Sequence, residues 1–159
     1  MVEINPIAVH QDDAIRQIIQ TVGAEFGAVS EGFGPSDDEV SAMSQHYNDA
    51  NRSQYLVATV DGRVVGGSGV AGFASGEGIC ELRKLFLLPD WRGQGIGRAL
   101  TVQCLNYARR QGYRTCYLDT LSTMSAAIGL YQSLGFERLN HPLAGTLHNG
   151  CDVCMLKPL

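Results

Sequence analysis

In the stretch LLPDWRGQGIGRAL, Leu87 to Leu100, glycine stands at every second position, at Gly93, Gly95 and Gly97. Residues without a Cβ let the backbone approach a ligand and take turn conformations that other residues resist. An apolar run precedes the glycines and a helix-like run follows, so the helix aims its unpaired N–H groups back at the loop. That combination is a site for an anion, and a phosphate fits it best. Two nucleotide motifs match less well. After Gly93-x-Gly95 the third glycine of a dinucleotide fingerprint is replaced by Arg98, and too little chain remains for the further parallel strands of that fold. No Gly-Lys-Ser/Thr follows, which excludes a P-loop. The five cysteines, Cys80, Cys104, Cys116, Cys151 and Cys154, are an odd number and read as free thiols. Cys151 and Cys154 form one C-x-x-C, but the run CDVCML reads as a strand, where an offset of three puts the side chains on opposite faces. His141 and His148 do not complete a zinc spacing, so no metal centre is expected.

The glycine loop needs a strand before it and a helix after it, and the chain supplies both. Ile79 to Leu88 reads as a strand, while Ile96, Leu100, Cys104 and Ala108 mark one face of the next helix, which Gly112 stops. Upstream, a short strand near Glu3–Ala8 leads to an amphipathic helix from about Asp12, with Ile15, Ile18, Ile19 and Val22 at helical spacing. GFGPSDDEV makes a turn and starts a second helix, with Ser36 as candidate N-cap and Glu39 three residues on. YLVATVDGRVVGGSGVA is a hairpin around Asp61-Gly62. Downstream, YRTCYLDT is a buried strand, MSAAIGLYQSLG a helix closed by Gly135, and CDVCML the last strand. This order describes an α/β mixed sheet with one crossover, flanked by helices. With 159 residues, 45% apolar and 18% charged, it fits a single domain over 1–159 with a real core. No apolar run is long enough to span a bilayer and the amino terminus lacks a signal-peptide layout, so a cytoplasmic protein is expected. A net charge of -4 argues against nucleic acid as partner and suits a cationic amine.

RGQGIG (Arg92 to Gly97) followed by RAL, joined later by AAIGLYQSLGF (Ala126 to Phe136), resembles the general-control-related N-acetyltransferase (GNAT) superfamily. The likeness runs from Tyr55 to Leu156, and its two signatures occur in the family's order. It implies the GNAT fold and an acetyl-CoA-dependent N-acetyltransferase working by direct transfer in a ternary complex. The loop would hold the pyrophosphate of acetyl-CoA through Arg92, Gly93, Gln94, Gly95 and Gly97, with Arg98 adding a charged contact. The pantetheine arm would pair with the backbone of Leu85, Phe86 and Leu87, one N–H stabilising the oxyanion.

Acetyl transfer to an amine needs a base for the ammonium and an acid for the thiolate. The resemblance places Tyr131 as the acid. It offers Glu81 as first choice of base and Asp119 as second, although some relatives use only ordered water. One departure is Met124, where many relatives carry an asparagine that contacts the pantetheine arm. Acceptor sites in this family are built from the first two helices and the loops near the last strands, here EGFGPSDDE (Glu31 to Glu39) and GTLHNG (Gly145 to Gly150), with Phe33 as a wall and His148 to orient the acceptor. A small amine or amino-acid-like acceptor is expected, taken by a monomer or homodimer without membrane or nucleic-acid partners. The alternatives are a protein or peptide amine as acceptor, or a non-catalytic acyl-CoA sensor.

Overall fold

The computed structural model describes residues 1–29, 32–73, 76, 78–148 and 150–159. Seven strands form one sheet in the order β1-β2-β3-β4-β5-β7-β6. In chain order the elements are β1 (Val2–Pro6), α1 (Asp12–Glu25), the short α2 (Met43–His46), β2 (Gln54–Val60), β3 (Arg63–Gly72) and β4 (Ile79–Leu87). They continue with α3 (Ile96–Arg110), β5 (Thr115–Thr120), α4 (Ser125–Ser133), β6 (Glu137–Leu139) and β7 (Val153–Pro158). The mixed α/β sheet expected from the sequence is present, with β4 and β5 its parallel pair. No helix of the described residues is long and apolar enough to cross a membrane.

Helical spacing decides which face each helix covers. Ile15, Ile19 and Val22 of α1 are buried against Tyr55, Val57 and Phe86 on one face of the sheet. Leu100, Cys104 and Ala108 of α3 are buried against Leu82, Cys116 and Leu118 on the other. The hairpin turn at Asp61-Gly62 has positive φ at both residues, +50° and +79°, which matches the twist of the flanking strands.

Two irregularities in β4 shape the site. Its parallel pairing with β5 stops at Glu81↔Tyr117, although both strands run on. Beyond that point they splay. On its other side, Gly67 pairs with Phe86 and Gly69 with Arg83, so Lys84 and Leu85 bulge opposite the single Ser68. Lys84 sits at φ +55°, an unusual conformation for a residue with a side chain, and the Tyr55 hydroxyl donates to its carbonyl at 2.8 Å.

Three expectations need correction. The second helix is broken into two 3-10 turns, Gly34–Ser36 and Asp38–Ala42, before α2. Ser36 donates to the Phe33 carbonyl instead of capping, and Asp37 and Glu39 turn inward to ion partners. The last strand begins at Val153, so Cys151 lies in the preceding loop and the opposite-face argument does not reach it; both thiols are free. β6, three residues long, carries too little alternation to be read from sequence.

Candidate active site

The splay opens a cleft of about 360 Å³ between the end of β4 and the start of α4, roofed by Val22 and Phe26 of the α1 end. Gly93 and Gly95 hold φ of +74° and +86°, and an added Cβ at either would meet nothing within 4 Å. Backbone conformation, not crowding, demands glycine there, and any side chain would project into open space. Gly95 caps α3 with no side-chain hydrogen bond. The first intrahelical bond into the cap runs from Ala99 N to Gly95 O, which leaves the N–H groups before it free for an anion. Leu85, Phe86, Leu87, Arg92, Gly97 and Arg98 line the same cleft. Gln94, whose backbone N–H is an expected donor, is not among the lining residues, and its side-chain amide donates back to the Asp90 carbonyl. Arg92 is tied to the roof: its guanidinium makes two bonds to Glu25, at 2.7 and 2.9 Å, and lies over the Phe26 ring. Thr123, on the opposite bank, donates to the Phe26 carbonyl at 2.9 Å.

Beyond the cleft lies a chamber of about 60 Å³ lined by Phe33, Asp119, His148, Cys151 and the β4 bulge, and sharing Phe86 and Met124 with the cleft. A third, open basin of about 440 Å³ shares Arg83 and His148 with the chamber. The three form a series. Glu81, Asp119 and His148, far apart in sequence, bring ligand atoms within 4.8 Å of one another.

Charges around the chamber are almost completely paired. Lys84 Nζ meets Asp37 at 2.8 Å and Glu39 at 3.1 Å, with its side chain 1% exposed. Arg83 Nε donates to Glu81 at 2.8 Å, and its Nη1 lies 3.5 Å from Glu39. His148 Nε2 is 2.8 Å from Asp37 and its Nδ1 is 3.5 Å from Glu81. Three cations thus answer three carboxylates. Asp119 stands apart, accepting from the hydroxyls of Tyr117, at 2.6 Å, and Thr146, with no cation of the described residues in ion-pair reach. Burial pushes its carboxyl up, against those hydroxyl bonds. For Glu81, burial is outweighed by His148 and Arg83, which hold it below the usual carboxylate range.

Burial pulls His148 the other way, down, but its bonds to Asp37 and Glu81 win and push it up to about 9. It is therefore an imidazolium at neutral pH, a cross-link rather than a base. A group whose pKa rises from 6.5 to about 9 on folding contributes stability that is complete below pH 6.5 and lost as pH climbs through 9. The melting temperature should decline across that window. His148→Gln should flatten the decline; an identical decline in the variant would assign it to another group.

Tyr131 takes a different place. It is buried on the α3 face, its ring edge-on to Phe136 at 5.7 Å, while its neighbour Leu130 lines the cleft. Its hydroxyl makes no hydrogen bond with a described residue, and burial, with smaller contributions from Cys104 and Cys116, raises its pKa above the usual tyrosine value. Phe33 packs on Gly150, where a Cβ would come within 2.8 Å of the ring. Glu31 and Asn149 of the two acceptor segments lie outside the described residues. Sequence reasoning missed Arg83, Lys84 and Asp37 as partners, although the charged ELRK set in an apolar strand run, Glu81 to Lys84, was the available signal.

Residues 51–138 match the family model described as an acetyltransferase (GNAT) domain. The chain is 36% identical over 155 residues to the uncharacterized N-acetyltransferase YjgM of Escherichia coli, covering 96% of this chain and 92% of that protein. It is 31% identical over 115 residues to N-acetylaspartate synthetase of Xenopus tropicalis, covering 70% of this chain and 42% of that protein. In fold it is similar to the PaiA N-acetyltransferase of Thermoplasma acidophilum, solved in complex with coenzyme A, with a TM-score of 0.77, 17% identity, and 100% and 99% of the two chains covered.

Proposed function

Because the chain belongs to the GNAT family and is an N-acetyltransferase that uses acyl-CoA, we propose that it moves acetyl from acetyl-CoA directly to the primary amine of a small, amino-acid-like acceptor. The observation that carries this is the series of cavities, with Asp119, the carboxylate of the middle chamber's lining, having no cation of the described residues in ion-pair reach. The glycine loop and the start of α3 take the pyrophosphate, and Arg98, beside them, adds positive charge. The pantetheine arm lies along Leu85–Leu87, where β4 has lost its parallel partner and can pair with an added strand.

The acceptor enters through the basin, whose lining sets Asp37, Asp38, Glu39 and Glu81 against Arg83 and His148. Lys84 answers Asp37 and Glu39 from behind, so the surplus is the single carboxylate of Asp38, which favours an ammonium group. The likeness to N-acetylaspartate synthetase points toward an amino-acid-like acceptor. Asp119 accepts the ammonium proton, the freed nitrogen attacks the thioester carbonyl carbon, and a β4 N–H stabilises the oxyanion. The carbon–sulfur bond then breaks, and the second proton that the nitrogen sheds in becoming an amide leaves through solvent, which also restores the proton given to the thiolate. The acid that the family resemblance assigns for the leaving thiolate is Tyr131, neutral with a proton to give, although it is buried on the α3 face and lines none of the three cavities. Glu81 serves as a positioning residue, since Arg83 and His148 already claim its charge.

The test is thiol release from acetyl-CoA across a panel of amines, amino acids and amino-terminal peptides. Turnover confined to peptides would move the acceptor to proteins, and none with any amine would remove the enzymatic reading. With an active acceptor, Tyr131→Phe should lower kcat about 10- to 1000-fold at nearly constant acetyl-CoA affinity. Full turnover, with chemistry shown to limit the rate, would return Tyr131 to a packing role.

A further inference from the structure

We propose that Met124 gauges the acyl chain, holding the enzyme to acetyl and its nearest homologues. The proposal rests on the cleft being the acyl-CoA site. Phe86 and Met124 are the residues common to the cleft and the chamber, so an acyl group passing from one toward Asp119 lies between them. Phe86 is fixed as a buried residue of β4, and Met124 packs against the same apolar cluster. Past this pair the chamber offers about 60 Å³, space on the order of a few water-sized groups, which the attacking nitrogen must share. An acetyl methyl fits beside it. A longer chain has to displace Met124 or occupy the seat of the amine.

Two local features bear on the Met124 side chain. Met124 is the N-cap of α4, where it makes no side-chain capping bond, so a residue unable to cap stands where Ser, Thr, Asp or Asn is favoured. The Thr120 hydroxyl, at the end of β5, donates to its sulfur at 3.7 Å and fixes a side chain that otherwise has three free torsions.

Calorimetric titration with CoA, acetyl-CoA, butyryl-CoA and hexanoyl-CoA tests this without an acceptor. The wild type should bind hexanoyl-CoA about tenfold or more weakly than acetyl-CoA. Met124→Ala, which joins cleft and chamber, should bring the two within roughly twofold of each other when each is taken relative to that protein's own affinity for CoA. Met124→Leu, close in volume but without the sulfur, should keep the discrimination. A wild type that binds both acyl chains equally, or a preference that survives in Met124→Ala, overturns the gauge. Wild type that fails to bind CoA at all overturns the assignment of the cleft, a separate outcome.

Discussion

The Gly95→Glu variant is expected to lose about 100-fold or more of its affinity for acetyl-CoA, roughly 3 kcal/mol, while remaining folded. Gly95 is exposed, holds φ +86°, and an added Cβ would meet no atom within 4 Å, so the new side chain extends into the mouth of the cleft. There it would set a carboxylate against the phosphate oxygens that the free N–H groups of α3 attract. Gly95→Ala separates the two components of the effect. It introduces the strain of a left-handed residue, about 1–2 kcal/mol, without the charge, and should weaken binding by about tenfold or less. Calorimetric affinity together with a thermal melt decides it, and undiminished binding by a folded Gly95→Glu protein removes the phosphate from this loop.

The second large effect is expected at Asp119. Asp119→Asn keeps the shape and an acceptor for one of the Tyr117 and Thr146 hydroxyls, the other turning to accept from the new amide, but removes the base, so kcat/KM should fall about 10²- to 10⁴-fold with acetyl-CoA affinity unchanged. The wild-type acid limb of kcat/KM should lie above 3.8, because burial raises the Asp119 pKa, and activity should drop as pH falls through it. The variant should lack that limb. Glu81→Gln supplies the contrast, since it leaves Arg83 only its longer contact to Glu39 and weakens the hold on His148, and its main symptom should be a lower melting temperature. Full activity in Asp119→Asn together with an inactive but stable Glu81→Gln would exchange the two roles.

Much of this molecule is local in its causes, and those parts are readable from sequence. The stripe Ile15, Ile18, Ile19 and Val22 is a helix because its spacing is helical, and all four are buried. The glycines at 93 and 95 foretell positive φ because few other residues adopt it without strain. Asp119, His148 and Glu81 were each recognisable as chemical groups, but their meeting depends on a sheet order that puts β5 between β4 and β7. The ranking of the two carboxylates depends on more still. It turns on Arg83 and His148 reaching Glu81 and not Asp119, a matter of side-chain direction past the last paired residues of two splayed strands. The break in the helix expected after Ser36 has the same origin, since Asp37 and Glu39 are drawn to a lysine more than 40 positions away, 47 and 45 residues respectively.

The bulge at Lys84 links donor and acceptor halves in a way that bears on how such enzymes diversify. The Lys84 ammonium grips Asp37 and Glu39 of the amino-terminal segment, and the Asp37 carboxylate in turn holds His148 from the far end of the chain. Ancestral exchange of the acceptor segment alone would strand a buried ammonium, a penalty of several kcal/mol once its partners are gone. New acceptor loops therefore have to be inherited together with their matching residues on β4. A chimaera that grafts a relative's residues 33–39 onto this chain should recover its stability when positions 83 and 84 are grafted with them.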